Sequence, residues 1–185
     1  MLPTHDMNKL AGIIEERESN GMRLFAARTS ARDVVRIEGS VLGGRNLLPR
    51  GKKQVAGLVA ELLDAGTKKR SKDAIRESLS DRGITLAFSA GGDRLSFSAS
   101  CLPEDIQYVL KVIVECLTSA TFEEKELKLA KERLVGMLIE AKADTRTQAA
   151  IAQSRLIYDP SHPNYCSTSA EDISEVRLAS RPDQL

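Results

Sequence analysis

The chain is poor in the side chains from which most metal and aromatic binding sites are built. Its 185 residues include no tryptophan and two histidines, His5 and His162, at opposite ends of the sequence. Zinc sites usually take their histidine or cysteine ligands in groups of two or more. A site built on several neighbouring histidines is therefore excluded, and a structural or exposed role is favoured for His162.

The three cysteines, Cys101, Cys116 and Cys166, are odd in number and form no C-x-x-C pair. We interpret them as small hydrophobic residues with free thiols, a usage typical of a reducing compartment. The first residues lack the basic region and apolar core of a signal peptide. A cytoplasmic protein is expected on these grounds, provided that no leader precedes Met1.

Strong charge of one sign and long apolar runs are also missing. Lysine plus arginine number 27 and aspartate plus glutamate 26, which gives a net charge of +1. Dedicated nucleic-acid binders are usually far more basic, so no nucleic-acid partner is expected. No apolar run approaches the ~18 residues of a membrane-spanning helix, so no membrane partner is expected either.

What the sequence does carry is a regular order of strand and helix patterns. Apolar residues alternate with polar ones over 84–90 and 95–101, with Gly91-Gly92-Asp93 between them, which predicts a β-hairpin. Two further extended stretches are predicted earlier in the chain. This order predicts an α+β fold, a mostly antiparallel sheet with helix pairs packed on one face in ββαα repeats. The extended stretches are 22–28 and 33–42, and the helices begin and end near 53–66, 71–83, 103–117, 121–141, 147–158 and 172–179.

The N-terminal segment is predicted to be helical. Residues 6–18 place Met7, Leu10 and Ile14 at helical spacing, and Asp6 is suited to cap the helix. We therefore expect residues 1–20 to form a linker or an N-terminal helix and residues 21–185 to form a single module.

No motif of a known reaction stands out. The sequence contains no G-x-S-x-G, no glycine-rich phosphate loop and no H-E-x-x-H. The carboxylates at 123–124 and 171–172 fall at predicted helix starts, where capping explains them better than acid–base catalysis. The basic stretches 50–53 and 68–70 lack interleaved aromatics, so solvated turns are favoured over an anion site. Residue chemistry alone predicts no more than an α+β domain.

Several sequence segments carry more information than single motifs when their order along the chain is considered. Residues 56–71 read A-G-L-V-A-E-L-L-D-A-G-T-K-K-R-S, and residues 121–126 read T-F-E-E-K-E after the hairpin. The segments D-P-S-H-P at 159–163 and R-P-D-Q-L at 181–185 follow at regular spacing. Together with 22–41 as a first strand pair, they resemble the insulinase-type (pitrilysin family) zinc metallopeptidases over about residues 20–185. The resemblance implies a peptidase-like module whose last strands would lie beyond residue 185.

The functional positions of that family fall on unsuitable residues here. In the family, an H-x-x-E-H motif on the helix before the Gly-Thr turn supplies two zinc ligands and the base that activates the metal-bound water. The resemblance places these three roles on Gly57, Ala60 and Glu61. The third ligand, a glutamate on the long helix, falls near Gly136 or Met137. The resemblance therefore implies a degenerate module with no catalytic residue and no metal ligand of its own.

Family members close a zinc-bearing module and a degenerate one around an unfolded peptide. The resemblance implies that this chain is inactive alone and holds no cofactor, with zinc expected in a partner module. It would contribute to binding a peptide or unfolded polypeptide and to pairing with a homologous zinc-bearing module, in cis or in trans. Two alternatives stay open: the second module of a parent chain that is itself an active zinc metalloendopeptidase, or an unrelated α+β interaction domain. No substrate-binding residue is assigned.

Overall fold

The computed structural model describes residues 14–30 and 33–180. The chain divides into two compact units, Met1–Val34 and Val35–Leu185. The sequence-based boundary between residues 20 and 21 falls at the turn of a hairpin within the first unit. The assignment of residues 21–185 to one module remains a prediction.

In the first unit, β1 (Ile14–Ser19) and β2 (Met22–Ala27) form an antiparallel hairpin. The predicted helix over 6–18 is therefore wrong in its described part, and residues 6–13 lie outside the described residues. Asn20 and Gly21 both have positive φ angles, 52° and 75°, as a tight two-residue hairpin turn requires. This asparagine–glycine pair is a strong hairpin signal, and it outweighs the helical spacing of the apolar residues before it.

In the second unit, β3 (Val35–Leu42), β4 (Thr85–Gly91) and β5 (Arg94–Cys101) form a three-stranded antiparallel sheet with the strand order β3–β5–β4. The two extended stretches predicted over 22–28 and 33–42 are both strands; β2 pairs with β1, and β3 pairs with β5. Short 3-10 turns at Arg45–Leu47 and Pro103–Asp105 precede the first and third helices. The helices are α1 (Lys53–Leu62), α2 (Lys72–Ser80), α3 (Ile106–Ser119), α4 (Glu124–Ala143), α5 (Thr145–Ile157) and α6 (Ser169–Leu178).

The predicted hairpin forms with its alternation intact. On β5, Ala99 and Cys101 are buried towards the helices, while the serines at 96, 98 and 100 alternate onto the opposite face. On β3, Gly39 pairs with Phe97, and a Cβ at Gly39 would lie 2.1 Å from the end of the Phe97 ring. Glycine is therefore needed at this strand position to leave room for the aromatic ring.

The helices pack in two layers on one face of the sheet, which confirms the predicted fold class. Helices α2 and α3 bury Ile75 and Val109 against the sheet, and α1 contributes Ala60 to a smaller cluster with Leu95. The other side of α1 packs against α4 and α6 around Leu58. Helix α1 thus lies between the sheet and the outer helices. Within the described ranges, no helix is both long and apolar enough to cross a membrane.

Candidate functional site

Helix α1 carries the three positions to which the resemblance assigns zinc-site roles. Gly57 is exposed, and a Cβ placed on it would meet nothing within 4 Å. Ala60 is 4% exposed and packs with Leu63 and Leu95 in an apolar cluster. Glu61 is partly buried, with 29% of its side chain exposed. Of these three positions, Glu61 supplies a carboxylate, Gly57 has no side chain, and Ala60 faces the apolar core.

The carboxylate of Glu61 forms an ion pair with the guanidinium of Arg133 on α4. The two helices run antiparallel: the Gly66 carbonyl after α1 accepts from the Thr121 N–H just before α4, and Glu61, earlier on α1, pairs with Arg133, later on α4. Moving back along α1 therefore corresponds to moving forward along α4. The ion pair joins the two helices that carry the predicted zinc-site positions.

The predicted third-ligand position lies one turn beyond Arg133 on α4. A Cβ added to Gly136 would meet nothing within 4 Å, and Met137 is 50% exposed. By the antiparallel direction, this turn of α4 lies level with the part of α1 that holds Gly57. Among the described residues, no side chain fills the space beside either glycine.

The residues at these positions do not fit a zinc ion. Catalytic zinc needs three nitrogen, sulfur or carboxylate ligands that converge on one point. Glycine and alanine supply none, the Met137 thioether is a poor ligand for zinc, and the Glu61 carboxylate is held by Arg133. Among residues 14–30 and 33–180, no three histidine, cysteine, aspartate or glutamate side chains lie close enough together to hold a metal.

The turn that follows α1, residues 66–71, is by contrast held by a network of side-chain hydrogen bonds. The Arg70 guanidinium donates to both carboxylate oxygens of Glu115 on α3, from Nε at 3.2 Å and Nη2 at 2.9 Å. The Thr67 hydroxyl donates to the same carboxylate at 2.6 Å, and Arg70 Nη1 donates to the Tyr108 hydroxyl at 3.1 Å. The Ser71 hydroxyl caps α2 by accepting from the Ala74 N–H. The Gly-Thr-Lys-Lys-Arg-Ser turn thus ties α1, α2 and α3 together.

Charge and burial set the protonation of this network. The Arg70 guanidinium that donates to Glu115 holds the pKa of that carboxyl below its ordinary value, and Glu115 raises the pKa of Arg70 in return. Burial raises the pKa of the neighbouring Cys116 thiol to about 11. The thiol therefore stays protonated at neutral pH and is a poor nucleophile.

The N-terminus of α1 is held by a carboxylate from the far end of the unit. Glu175 of α6 is 7% exposed, and its side chain accepts from the Gln54 N–H in the first turn of α1. The helix has no cap from its own Lys52. Burial raises the pKa of the Glu175 carboxyl, while the α1 backbone N–H groups oppose that rise. A carboxylate at this end also complements the helix dipole.

Other residues singled out by the sequence have structural roles. Glu171 completes a capping box with Thr168 at the start of α6, which confirms the capping interpretation there. The His162 ring is exposed and stacks on Tyr158, with 4.5 Å between ring centroids. Lys53 Nζ donates to the Pro163 carbonyl at 2.7 Å, so this basic side chain fixes a loop.

The sequence interpretation is also wrong for a basic residue of the 68–70 stretch, and it misses two acidic residues. A solvated turn is predicted over 68–70, and Lys68 and Lys69 are exposed, but only 23% of the Arg70 side chain is exposed because it lies in its ion pair. Glu115 and Glu175 escape notice because their partners lie 45 and 121 residues away along the chain. A carboxylate beside the apolar stripe of α3 is the available signal for Glu115.

Comparison with known proteins adds the family of this sequence. A family model described as Insulinase (Peptidase family M16) matches residues 51–156, more than half of the chain. The matched region runs from the start of α1 almost to the end of α5. A search of curated proteins returned no match.

Solved structures share the fold at low sequence identity. An inactive domain of a peptidase of family M16 from Pseudomonas fluorescens aligns with a TM-score of 0.76 and 17% identity over 89% of this chain and 42% of that one. A protease from Helicobacter pylori aligns with a TM-score of 0.77 and 14% identity over 92% and 41%. A point mutant of the ferredoxin protease FusC, in complex with Arabidopsis ferredoxin, gives 0.69 and 17% over 94% and 19%. The chain therefore spans about two fifths of the first two structures.

Proposed function

Because the chain belongs to the insulinase family (peptidase family M16), we propose that it is a non-catalytic module of a zinc metallopeptidase. In this role it contributes to the binding of a peptide substrate and pairs with a homologous zinc-bearing module. It holds no metal of its own, and zinc resides in the partner module. A cytoplasmic location belongs to the same proposal and is supported by the three free cysteines.

The contrast between the intact turn and the missing ligands carries the proposal. Thr67, Arg70 and Glu115 join three helices through hydrogen bonds of ordinary length. The helix before that turn has Gly57 where the family has a ligand and Ala60 where it has the base. The framework of a peptidase module is thus retained without the side chains that would activate water.

Two of the similar structures support this role. One is an inactive domain of an M16 peptidase, and another is a protease bound to a whole protein, ferredoxin. By analogy, a non-catalytic module of this family would contact a polypeptide rather than a small molecule. This analogy rests on shared fold and is the reason for proposing a peptide or unfolded polypeptide as the ligand.

A second candidate places catalysis in the same polypeptide. The chain covers 42% of the P. fluorescens structure and 41% of the H. pylori one, so a longer parent protein has room for another module. In that case this chain is the second module of an active zinc metalloendopeptidase. The hypothesis of an unrelated α+β interaction domain is excluded by the family match.

The test is to purify the native protein with whatever remains bound to it and measure zinc by mass spectrometry and hydrolysis of a fluorogenic peptide. We expect both zinc and activity in the native assembly and neither in the 185-residue chain alone. Stoichiometric zinc with hydrolysis by the isolated chain would disprove the non-catalytic role. Separation under denaturing conditions, followed by sequencing of the H-x-x-E-H-bearing polypeptide, distinguishes a separate subunit from a parent chain.

A designed zinc site tests whether the family positions have been located correctly. The double variant Gly57→His/Glu61→His places two imidazoles one turn apart on α1, and adding Met137→Glu supplies the third ligand. We expect the triple variant to bind zinc roughly tenfold more tightly than the double variant by competition with a chromophoric chelator.

The matched control places the same glutamate elsewhere on α4. Ile139 is 54% exposed and lies on another face of the helix from Met137, so Ile139→Glu in the double-histidine background should not improve zinc binding. Equal gains from both glutamates would show that residue 137 does not face the α1 positions, and the assignment of the third-ligand position would be abandoned.

A further inference from the structure

A groove of about 670 Å³ lies between α4 and α6, and we call it the α4–α6 groove. Its α4 side presents lysines at successive turns, and its α6 side presents Arg177. Among the described residues that line it, Val135 is the one aliphatic residue, and it is half-buried. The lining residues are Glu124, Lys125, Lys128, Lys131, Glu132, Val135 and Arg177.

Three of the four cationic side chains that line this groove have no hydrogen-bond or ion-pair partner among the described residues. Among the described residues, the side chains of Lys125, Lys128 and Arg177 make no hydrogen bond or ion pair. Glu124 and Lys128 lie four residues apart on α4, but the Glu124 carboxylate and the Lys128 ammonium do not come within 4.0 Å of each other. Three cationic groups therefore line the groove without a paired carboxylate in the part of the chain that the structure describes.

The fourth cation is fixed in place. Lys131 Nζ donates to the Arg177 carbonyl at 2.8 Å and to the Ala179 carbonyl at 2.7 Å, where α6 ends. These bonds satisfy orphan carbonyls at the helix C-terminus and complement its dipole. Lys131 thus fastens α6 to α4 and gives the groove a defined width.

Two exposed aliphatic residues lie close in sequence to residues that line the groove. Ile139 follows Val135 by one helical turn and is 54% exposed. Leu178, next to Arg177 on α6, is 81% exposed. Apolar surface flanked by lysine and arginine is a pattern that complements an amphipathic segment carrying acidic side chains.

We propose that the α4–α6 groove docks an acidic, amphipathic segment of a partner polypeptide. Its carboxylates pair with Lys128 and Arg177, and an aliphatic side chain covers Val135. A nucleic-acid backbone carries one charge per ~1.7 Å of duplex and cannot keep its phosphates away from Glu124 and Glu132, whereas a peptide can place uncharged residues beside them. This proposal does not depend on the proposed function, since a chain active by itself would carry the same groove.

The probe is a fluorescein-labelled dodecapeptide of glutamate and leucine, with a second peptide that has glutamine in place of each glutamate. Fluorescence anisotropy at low salt with the full chain should show binding of the first peptide and much weaker binding of the second. Lys128→Glu and Arg177→Glu should each weaken binding roughly tenfold, because each places a like charge against the ligand. Val135→Ser should weaken it roughly fivefold through lost apolar contact.

Lys111→Glu provides the matched control, because Lys111 is an exposed lysine on α3, away from the groove. This variant should bind the acidic peptide as the unaltered chain does, and circular dichroism should show equal helix content in all four variants. Equal weakening by Lys111→Glu would indicate nonspecific attraction and overturn the proposal. Tighter binding of a DNA oligonucleotide than of the peptide would also overturn it, as would a dimer in sedimentation that Lys128→Glu dissociates.

Discussion

Replacing Glu115 by glutamine is expected to lower the free energy of unfolding by about 2–3 kcal/mol. The substitution keeps the size of the side chain but removes the negative charge to which Arg70 and Thr67 both donate hydrogen bonds. The Arg70 side chain is 23% exposed, so its guanidinium would be left largely desolvated without a counter-ion. For a chain of this size, the loss corresponds to a fall of roughly 5–10 °C in the melting temperature. Urea unfolding followed by circular dichroism measures it directly.

Two further variants separate the charge pair from general damage. Glu140→Gln removes an exposed carboxylate on α4 and should change stability by less than about 0.5 kcal/mol. Arg70→Lys keeps the charge but loses the two-pronged contact, so it should also destabilise the fold. A double-mutant cycle between Glu115→Gln and Arg70→Leu should give a coupling energy well above zero. Additive effects of the two substitutions would contradict the role given to this pair.

The same pair gives stability a defined dependence on pH. The pKa of Glu115 is lower in the folded chain than in the unfolded chain, because Arg70 donates to its carboxylate. Its contribution is therefore complete above the unfolded-state pKa and is lost as the pH falls through the folded-state pKa. The stability difference between the unaltered chain and Glu115→Gln should shrink over that acidic range.

The local pattern of the second unit was predictable because it rests on neighbouring residues. The hairpin from Thr85 to Cys101 follows from strict alternation and a glycine turn, both properties of short segments. The Ser71 cap follows equally from one side chain and the backbone three residues on. The family resemblance then assigned zinc-site roles to Gly57 and Ala60, two residues without a ligand side chain.

Contacts between distant parts of the chain were not predictable in the same way. The local sequence does not indicate that Glu175 caps α1 or that Arg70 pairs with Glu115, because a charged residue in a polar stretch is usually solvated. The ion pair between Glu61 and Arg133 could not be predicted from the sequence for the same reason. The β1–β2 hairpin is a different failure, because two local signals competed and the turn at Asn20 decided the outcome.

The contact between the loop after β3 and the β4–β5 turn could not be predicted from the sequence either. It makes Gly44 a position at which one added methyl group should strongly destabilise the chain. Gly44 is buried, with an extended backbone of φ −81° and ψ 171° that any residue adopts. Its neighbours are backbone atoms of the β4–β5 turn rather than movable side chains. An added Cβ would lie 2.3 Å from both the Arg94 nitrogen and the Gly92 oxygen. The loop after β3 is joined to that turn by the Gly43 N–H to the Asp93 carbonyl at 3.1 Å and the Asn46 N–H to the Gly92 carbonyl at 2.8 Å.

Gly44→Ala is therefore expected to destabilise the chain by about 2–4 kcal/mol, since one methyl group must push two backbone segments apart and stretch both hydrogen bonds. Gly57→Ala is the matched control: it lies in a helix, its Cβ has open space, and alanine should stabilise the helix by about 0.5–1 kcal/mol. Opposite signs for the same chemical change, measured by urea unfolding, would show that space and not glycine content decides the effect. A Gly44→Ala variant as stable as the unaltered chain would mean that the loop does not pack on the β4–β5 turn in solution. It would also mean that no steric constraint requires glycine at residue 44, between β3 and α1.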